Sequence, residues 1–219
     1  MSTGTTSVGR HLPRDSQLDR RRLSIRHTSW SDRAGMEHTT LKRWEEITRE
    51  ERFFTSILFH DIRADSDPIR SPLTGRLGLS PSTRILDIGY EVCFFRDAAL
   101  VGLIGRVPRL EKLTFDLLFT LSERRIVIVE AKAQQAFDMK QLENLTLAKS
   151  LIEADKRWSL NAVSLAALHS SRYSPRLETT NHFGALFTWA VIAQLYPANR
   201  GIYEHADALY NDRARPAYE

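Results

Sequence analysis

The sequence predicts a mixed α/β domain, with a central sheet flanked by helices and a helical segment added at its C-terminal end. Three observations predict it. Residues 112 to 132 read as two adjacent strands joined by a polar turn, residues 137 to 156 as an amphipathic helix, and residues 162 to 169 as a short apolar strand. A helix between two strands is the crossover that parallel pairing requires.

At 219 residues and 42% hydrophobic content, the chain can bury a substantial core. It has no apolar run of about 18 or more residues and no charged, apolar, small-residue leader, so a soluble, cytoplasmic protein without membrane contact is expected. The single Cys93 cannot form an internal disulfide or a cysteine metal cluster, which suits a reducing compartment. Composition divides the chain into a basic, disordered arm (1–36), a core (37–172) and a helical segment packed on that core (173–219).

The arm carries seven arginines (Arg10, Arg14, Arg20, Arg21, Arg22, Arg26 and Arg33) against Asp15, Asp19 and Asp32. That excess equals the +4 of the whole chain, so the remainder is neutral. The positive charge available to a phosphate backbone therefore lies in the arm, most densely at Arg20, Arg21 and Arg22. A leader with no specific role is the alternative. So is a start at Met36.

From Thr39 or Thr40 as N-cap, a helix is expected to about Ile62, with Trp44, Ile47, Phe54 and Leu58 as its buried stripe. Glu51 falls within that stripe, and an acid on an apolar face needs a partner. Glu50 on the shoulder of the stripe is the alternative, and a rim ion pair with Arg49 or Arg52 is the ordinary outcome. His60-Asp61 looks like the metal-binding pair of phosphohydrolases. The other histidines are scattered, so the pair reads instead as a helix C-terminus with a well-placed histidine. Residues 64 to 82, rich in Asp, Ser, Pro and Gly, read as a loop.

Residues 84 to 96 read as the first strand of the sheet. Leu86-Asp87-Ile88-Gly89 resembles the start of a methyltransferase cofactor loop, but Tyr90-Glu91-Val92-Cys93 follows as more strand. With no glycine-rich turn there is no backbone cradle, and no nucleotide cofactor is expected. Glu91 is either a further acid near a metal or the partner of an arginine such as Arg96. A short turn or helix then precedes Pro108.

Between Lys112 and Leu121, residues Leu113, Phe115, Leu117, Phe119 and Leu121 share one face, leaving Asp116 on the other among apolar neighbours. Ser122-Glu123-Arg124-Arg125 supplies the turn. In the second strand Ile126, Ile128, Glu130 and Lys132 share a face, with Val127, Val129 and Ala131 opposite. Burying a lone carboxylate costs several kcal/mol unless it is paired or bound to a cation. Paired strands would bring Asp116, Glu130 and Lys132 together, a set able to hold a hard divalent cation such as Mg2+. Such an ion polarises a phosphate and acidifies a bound water, and the lysine orients or deprotonates that water. The ordinary alternative is an Asp116–Lys132 salt bridge beside a solvated Glu130.

This stretch resembles the PD-(D/E)XK nuclease superfamily, the restriction-endonuclease-like fold. The matching residues are Phe115-Asp116, then Glu130-Ala131-Lys132 after thirteen intervening residues, then Gln141 on the following helix. Phe115 stands where the eponymous proline would be. The match is close over this stretch and looser over the rest of the chain after residue 38. The resemblance implies an α-β-β-β-α-β core and metal-dependent hydrolysis of nucleic-acid phosphodiesters, with DNA favoured over RNA. It also implies Mg2+, for which Mn2+ substitutes, held by Asp116, Glu130 and the backbone carbonyl of Ala131. Glu51, on the opening helix, is a candidate further ligand. Lys132 would handle the water, and Gln141 would support the lysine or the phosphate. Lys140 and the arm arginines Arg20, Arg21 and Arg22 are candidate DNA contacts, and a homodimer is a candidate assembly. A catalytically silent module that binds nucleic acid or a protein is the alternative.

After the motif, Phe137, Leu142, Leu145 and Ile152 face inward on a helix to about Lys156, and Ala162 to His169 follows as a parallel strand. From about Tyr173 a loop is expected, then two helices, the first capped by Thr188. Pro197 breaks the chain, and Asn199 caps the second.

Overall fold

The alternation along residues 115 to 121 becomes a strand whose odd-numbered residues are all buried, and the rest of the sheet is assembled around it. The computed structural model describes residues 50–210, all within one compact unit, Lys42–Glu219. The arm, the caps Thr39 and Thr40, and Trp44 and Ile47 lie outside the described residues. In chain order the elements are α1 (Glu51–Ala64), α2 (Asp67–Arg76), β1 (Ile85–Val92), α3 (Phe94–Leu100), β2 (Phe115–Leu121) and β3 (Arg125–Ala131). They continue with α4 (Met139–Ala154), β4 (Ala162–His169), α5 (Leu177–Thr180), β5 (Ala185–Thr188), α6 (Trp189–Leu195) and α7 (Arg200–Ala208).

The strands lie in the order β1-β2-β3-β4-β5, antiparallel across the first two pairings and parallel across the last two. β3 is therefore central, and both its faces are covered, so its apolar residues run on without polar interruption. Val127, Val129 and Ala131 pack with Phe54, Leu58 and Ile62 of α1 and with Trp189 and Tyr203. Ile126 and Ile128 join Leu142, Leu145 and Ile152 of α4 on the other face. The chain is thus a mixed α/β domain, a five-stranded mixed sheet flanked by helices. Among the described residues no helix is long and apolar enough to cross a membrane.

The turn between β2 and β3 places two non-glycine residues in the left-handed region, Glu123 at φ 63° and Arg124 at φ 58°. Such turns match the twist of a hairpin. Tertiary hydrogen bonds hold this one: Asn161 Nδ2 donates to the Glu123 carbonyl at 2.7 Å and the Asn161 amide to the Arg124 carbonyl at 2.8 Å.

Four expectations are corrected. Residues 64 to 82 contain a helix, α2, because Asp65 Oδ1 accepts from the Asp67 amide and Pro68 occupies the first turn, where its missing N–H does no harm. Buried Ile69, Leu73 and Thr74 then outweigh the one backbone bond that Pro72 removes. The segment after 173 is not wholly helical, since Ala185–Thr188 adds a fifth strand beside β4. Asn199 makes no cap bond: its side chain donates to Asp61 at 2.8 and 3.0 Å. His60 is not at a helix end, because α1 runs on to Ala64, with Arg63 the base in its last turn. Thr188 does cap α6, accepting from the Val191 amide at 3.3 Å.

Asp61 also accepts from the Tyr203 hydroxyl at 2.6 Å, so one carboxylate fastens α1 to α7 and to the turn before it. Asp61→Ala would strand two part-buried donors and should destabilise the fold by about 1–3 kcal/mol. Urea unfolding of the variant beside wild type measures this.

Candidate active site

Lengthwise, β2 and β3 part company at the charged end. Their paired register runs from Leu121↔Arg125 to Leu117↔Val129 and stops there. One step further, the same register sets Asp116 opposite Glu130, on one face of the sheet. The Ala131 amide turns to the Asp116 side chain, donating to Oδ2 at 2.7 Å.

Glu130 is only 2% exposed. Its Oε1 accepts from Lys132 Nζ at 2.7 Å and from the Gln141 amide nitrogen. Its Oε2 is fully buried and has no hydrogen-bond partner. Lys132 lies just past the end of β3, with its amide bonded to the Leu168 carbonyl at 2.7 Å and its carbonyl accepting from Trp189 Nε1 at 3.0 Å. Its ammonium also meets Glu51 Oε1 at 3.3 Å, while Glu51 Oε2 accepts from the Ala133 amide at 2.9 Å. Gln141 is aimed from the first turn of α4, where Asp138 caps the helix by accepting from the Gln141 amide at 3.0 Å.

The five side chains singled out by sequence, Glu51, Asp116, Glu130, Lys132 and Gln141, therefore meet at one end of the sheet. The salt bridge of the ordinary alternative does not form: Lys132 pairs with Glu130 and Glu51, and Glu130 is buried rather than solvated. Other residues fall outside the cluster. Glu50 is exposed at the N-cap of α1, and Lys140 is exposed beside Gln141. Glu91 pairs with Arg52 at 3.4 Å, and Arg96 with Asp97. Arg20, Arg21 and Arg22 are outside the described residues. Sequence reading missed Trp189, an apolar residue in a helix that reads as core. Its single N–H gives no periodic signal, yet it holds the Lys132 backbone.

Burial dominates the electrostatics. It pushes the Asp116 carboxyl up to about 8, with Glu130 adding to the rise and the Ala131 amide and Lys132 opposing it. Burial likewise raises Glu130, against the pull of Lys132. For Lys132, burial alone would lower the ammonium, but Glu130 and then Glu51 outweigh it and drive it above its ordinary value. Lys132 is therefore a fixed cation.

Among the described residues no three His, Cys, Asp or Glu side chains are grouped to hold an ion. Glu51 is committed to Lys132 and the Ala133 amide. What fits a hard cation is the smaller set of Asp116 and Glu130, because Oε2 of Glu130 is an orphaned buried acceptor and carboxylate oxygens are the donors Mg2+ prefers. Comparison with protein-family models, with curated proteins and with solved structures returns no match.

In the folded, metal-free chain Asp116 keeps its proton to about pH 8, against 3.8 for an unperturbed aspartate. Folding thus takes up a proton between those values, and stability present below the lower one is lost as pH rises to the upper. Asp116→Asn keeps an oxygen for the Ala131 amide and removes this dependence. Its stability advantage over wild type in EDTA should widen from about pH 5 to about pH 8 and reach roughly 2–5 kcal/mol. Denaturant titrations across that range measure it.

Proposed function

We propose that the chain is a metal-dependent nuclease that hydrolyses phosphodiester bonds of nucleic acid, DNA in preference to RNA, in the cytoplasm. The observation that carries this reading is the meeting of Asp116 and Glu130 at the parting of β2 and β3, with one oxygen of Glu130 buried and unpartnered beside a fixed lysine ammonium. The arrangement is what the PD-(D/E)XK resemblance leads one to expect, and the two antiparallel strands, helix and parallel strand follow its order.

Asp116, Glu130 and the backbone carbonyl of Ala131 would hold Mg2+, which when bound supplies a Lewis acid for the phosphate and an acidified water. Asp116 must release its proton for this, so affinity for the ion rises toward pH 8. Lys132, held charged by two carboxylates, acts by orienting the attacking water and offsetting charge that develops on the phosphorus oxygens, rather than by removing a proton. Glu51 fixes the lysine from α1. Gln141 holds Glu130 from α4, fixing which oxygen is left free.

A catalytically silent module that binds nucleic acid is the second reading. Among the described residues no three His, Cys, Asp or Glu side chains are grouped to hold an ion, which favours it.

Cleavage of circular and linear, single- and double-stranded DNA with Mg2+, Mn2+ or EDTA tests the proposal. Wild type should cut only with metal, and Glu130→Ala or Asp116→Ala should lower the rate by about 100-fold or more. Metal should also raise the melting temperature of wild type but not of Asp116→Asn. Cutting undiminished in both acid variants overturns the site assignment, and DNA retained without cutting under every metal condition favours the silent module.

A further inference from the structure

We propose that Arg52 binds a backbone phosphate of the nucleic acid at this site and that Glu91 occupies it until the phosphate arrives, an inference that rests on the nuclease reading above. Arg52 follows Glu51 in the first turn of α1, and its guanidinium crosses to Glu91, in the strand that pairs with β2 next to Asp116. Its backbone is fixed from β1, where the Tyr90 hydroxyl donates to the Arg52 carbonyl at 2.9 Å. Its side chain is 74% exposed and meets Glu91 Oε2 through Nε at 3.4 Å, a looser pair than the 2.7 Å contact of Lys132 with Glu130.

The backbone that presents Glu91 is unusual. Glu91 has φ 51°, the left-handed region that side-chain-bearing residues avoid. Two residues earlier the chain passes so close to Val92 that a Cβ on Gly89 would lie 2.5 Å from Val92 Cγ2. Val92 pairs with Phe115, the neighbour of Asp116, so this distortion sits at the site end of the sheet. The Tyr90 phenol senses the same groups: burial raises it first, then Glu91, with Asp116 adding and Arg52 opposing.

An ion pair whose arginine is 74% exposed contributes little in water, less than a left-handed glutamate costs. Stability alone therefore does not account for the turn. What it achieves is to keep a long, mobile cation over the edge of an acidic cluster that would otherwise repel a polyanion. The guanidinium fork matches two phosphate oxygens, and an arriving phosphate would displace Glu91 from it.

The test is equilibrium binding of labelled duplex DNA, single-stranded DNA and duplex RNA by the full chain in EDTA, over a salt series. For whichever species wild type binds, Arg52→Ala should weaken affinity about tenfold and lower the log–log salt slope by about one. Arg52→Lys should restore the slope with part of the affinity, and Glu91→Gln, which removes the competing carboxylate, should bind more tightly than wild type. Arg200→Ala, which breaks the exposed Arg200–Glu204 pair of α7, is the control and should change neither quantity. Thermal melts of the variants check that folding is kept. Unchanged affinity and slope in Arg52→Ala overturn this assignment and leave the nuclease reading standing. Affinity in Glu91→Gln no higher than in wild type overturns the role of Glu91. If wild type binds none of the three species, the nucleic-acid reading itself fails, and Arg52 with it.

Discussion

Burying Glu130 is the constraint on which the surrounding structure depends. A carboxylate taken out of water must be met by charge and hydrogen bonds. Here the compensation arrives from two directions, Lys132 from just past the end of the same strand and Gln141 from α4, while Glu51 of α1 holds the lysine although its own charge opposes that of Glu130. Lys132 can serve only if its backbone leaves the strand in a fixed direction. The Leu168 carbonyl and the Trp189 indole set that direction. One buried acid thus recruits two helices, the neighbouring strand and the first residue of α6.

The charge balance of the cluster then has a chemical consequence. Three carboxyl groups, Glu51, Asp116 and Glu130, face a single ammonium. If all three ionised, a half-buried pocket would carry excess negative charge that the interior stabilises poorly. The metal-free chain relieves this by keeping a proton on Asp116, the acid without a contact to Lys132, and by leaving one Glu130 oxygen bare. A proton and a divalent cation are alternative ways to neutralise the same excess. The bare Glu130 oxygen and the raised Asp116 carboxyl are two signs of the same uncompensated negative charge.

Much of this was legible in the sequence because it depends on local period. The alternation from Phe115 to Leu121 fixes which face Asp116 takes, and Glu130 lies where a short hairpin turn brings it opposite. Thr188 announced its cap, and the spacing of Leu142, Leu145 and Ile152 announced α4. What escaped has tertiary causes. Pro68 and Pro72 disguised α2, whose formation depends on buried Ile69 and Leu73. The four residues of β5 are too few to show a period, and they are a strand only because β4 offers an edge. Asn199 looked like a cap because its type favours one, but Asp61 outcompetes the helix for its side chain. Neither Trp189's role nor the backbone of Glu91 has any signature in residue type.

Geometry at the site is also set far from it. Glu51 lies at the first residue of α1, so its reach to Lys132 depends on the angle at which the whole helix crosses the sheet. That angle is held near the other end, where Asp61 grips Asn199 and Tyr203, and Tyr203 in turn stacks on Trp189 at 6.1 Å between ring centroids. Trp189 closes the loop by bonding the Lys132 carbonyl. The C-terminal helices therefore act on the lysine twice, once through its backbone and once through the helix that carries its second carboxylate. Asp116 is tied instead to the β2–β3 hairpin, through the strand register and the Ala131 amide. Asp116 is thus placed by the sheet, while Lys132 draws on both the sheet and the helices packed against it.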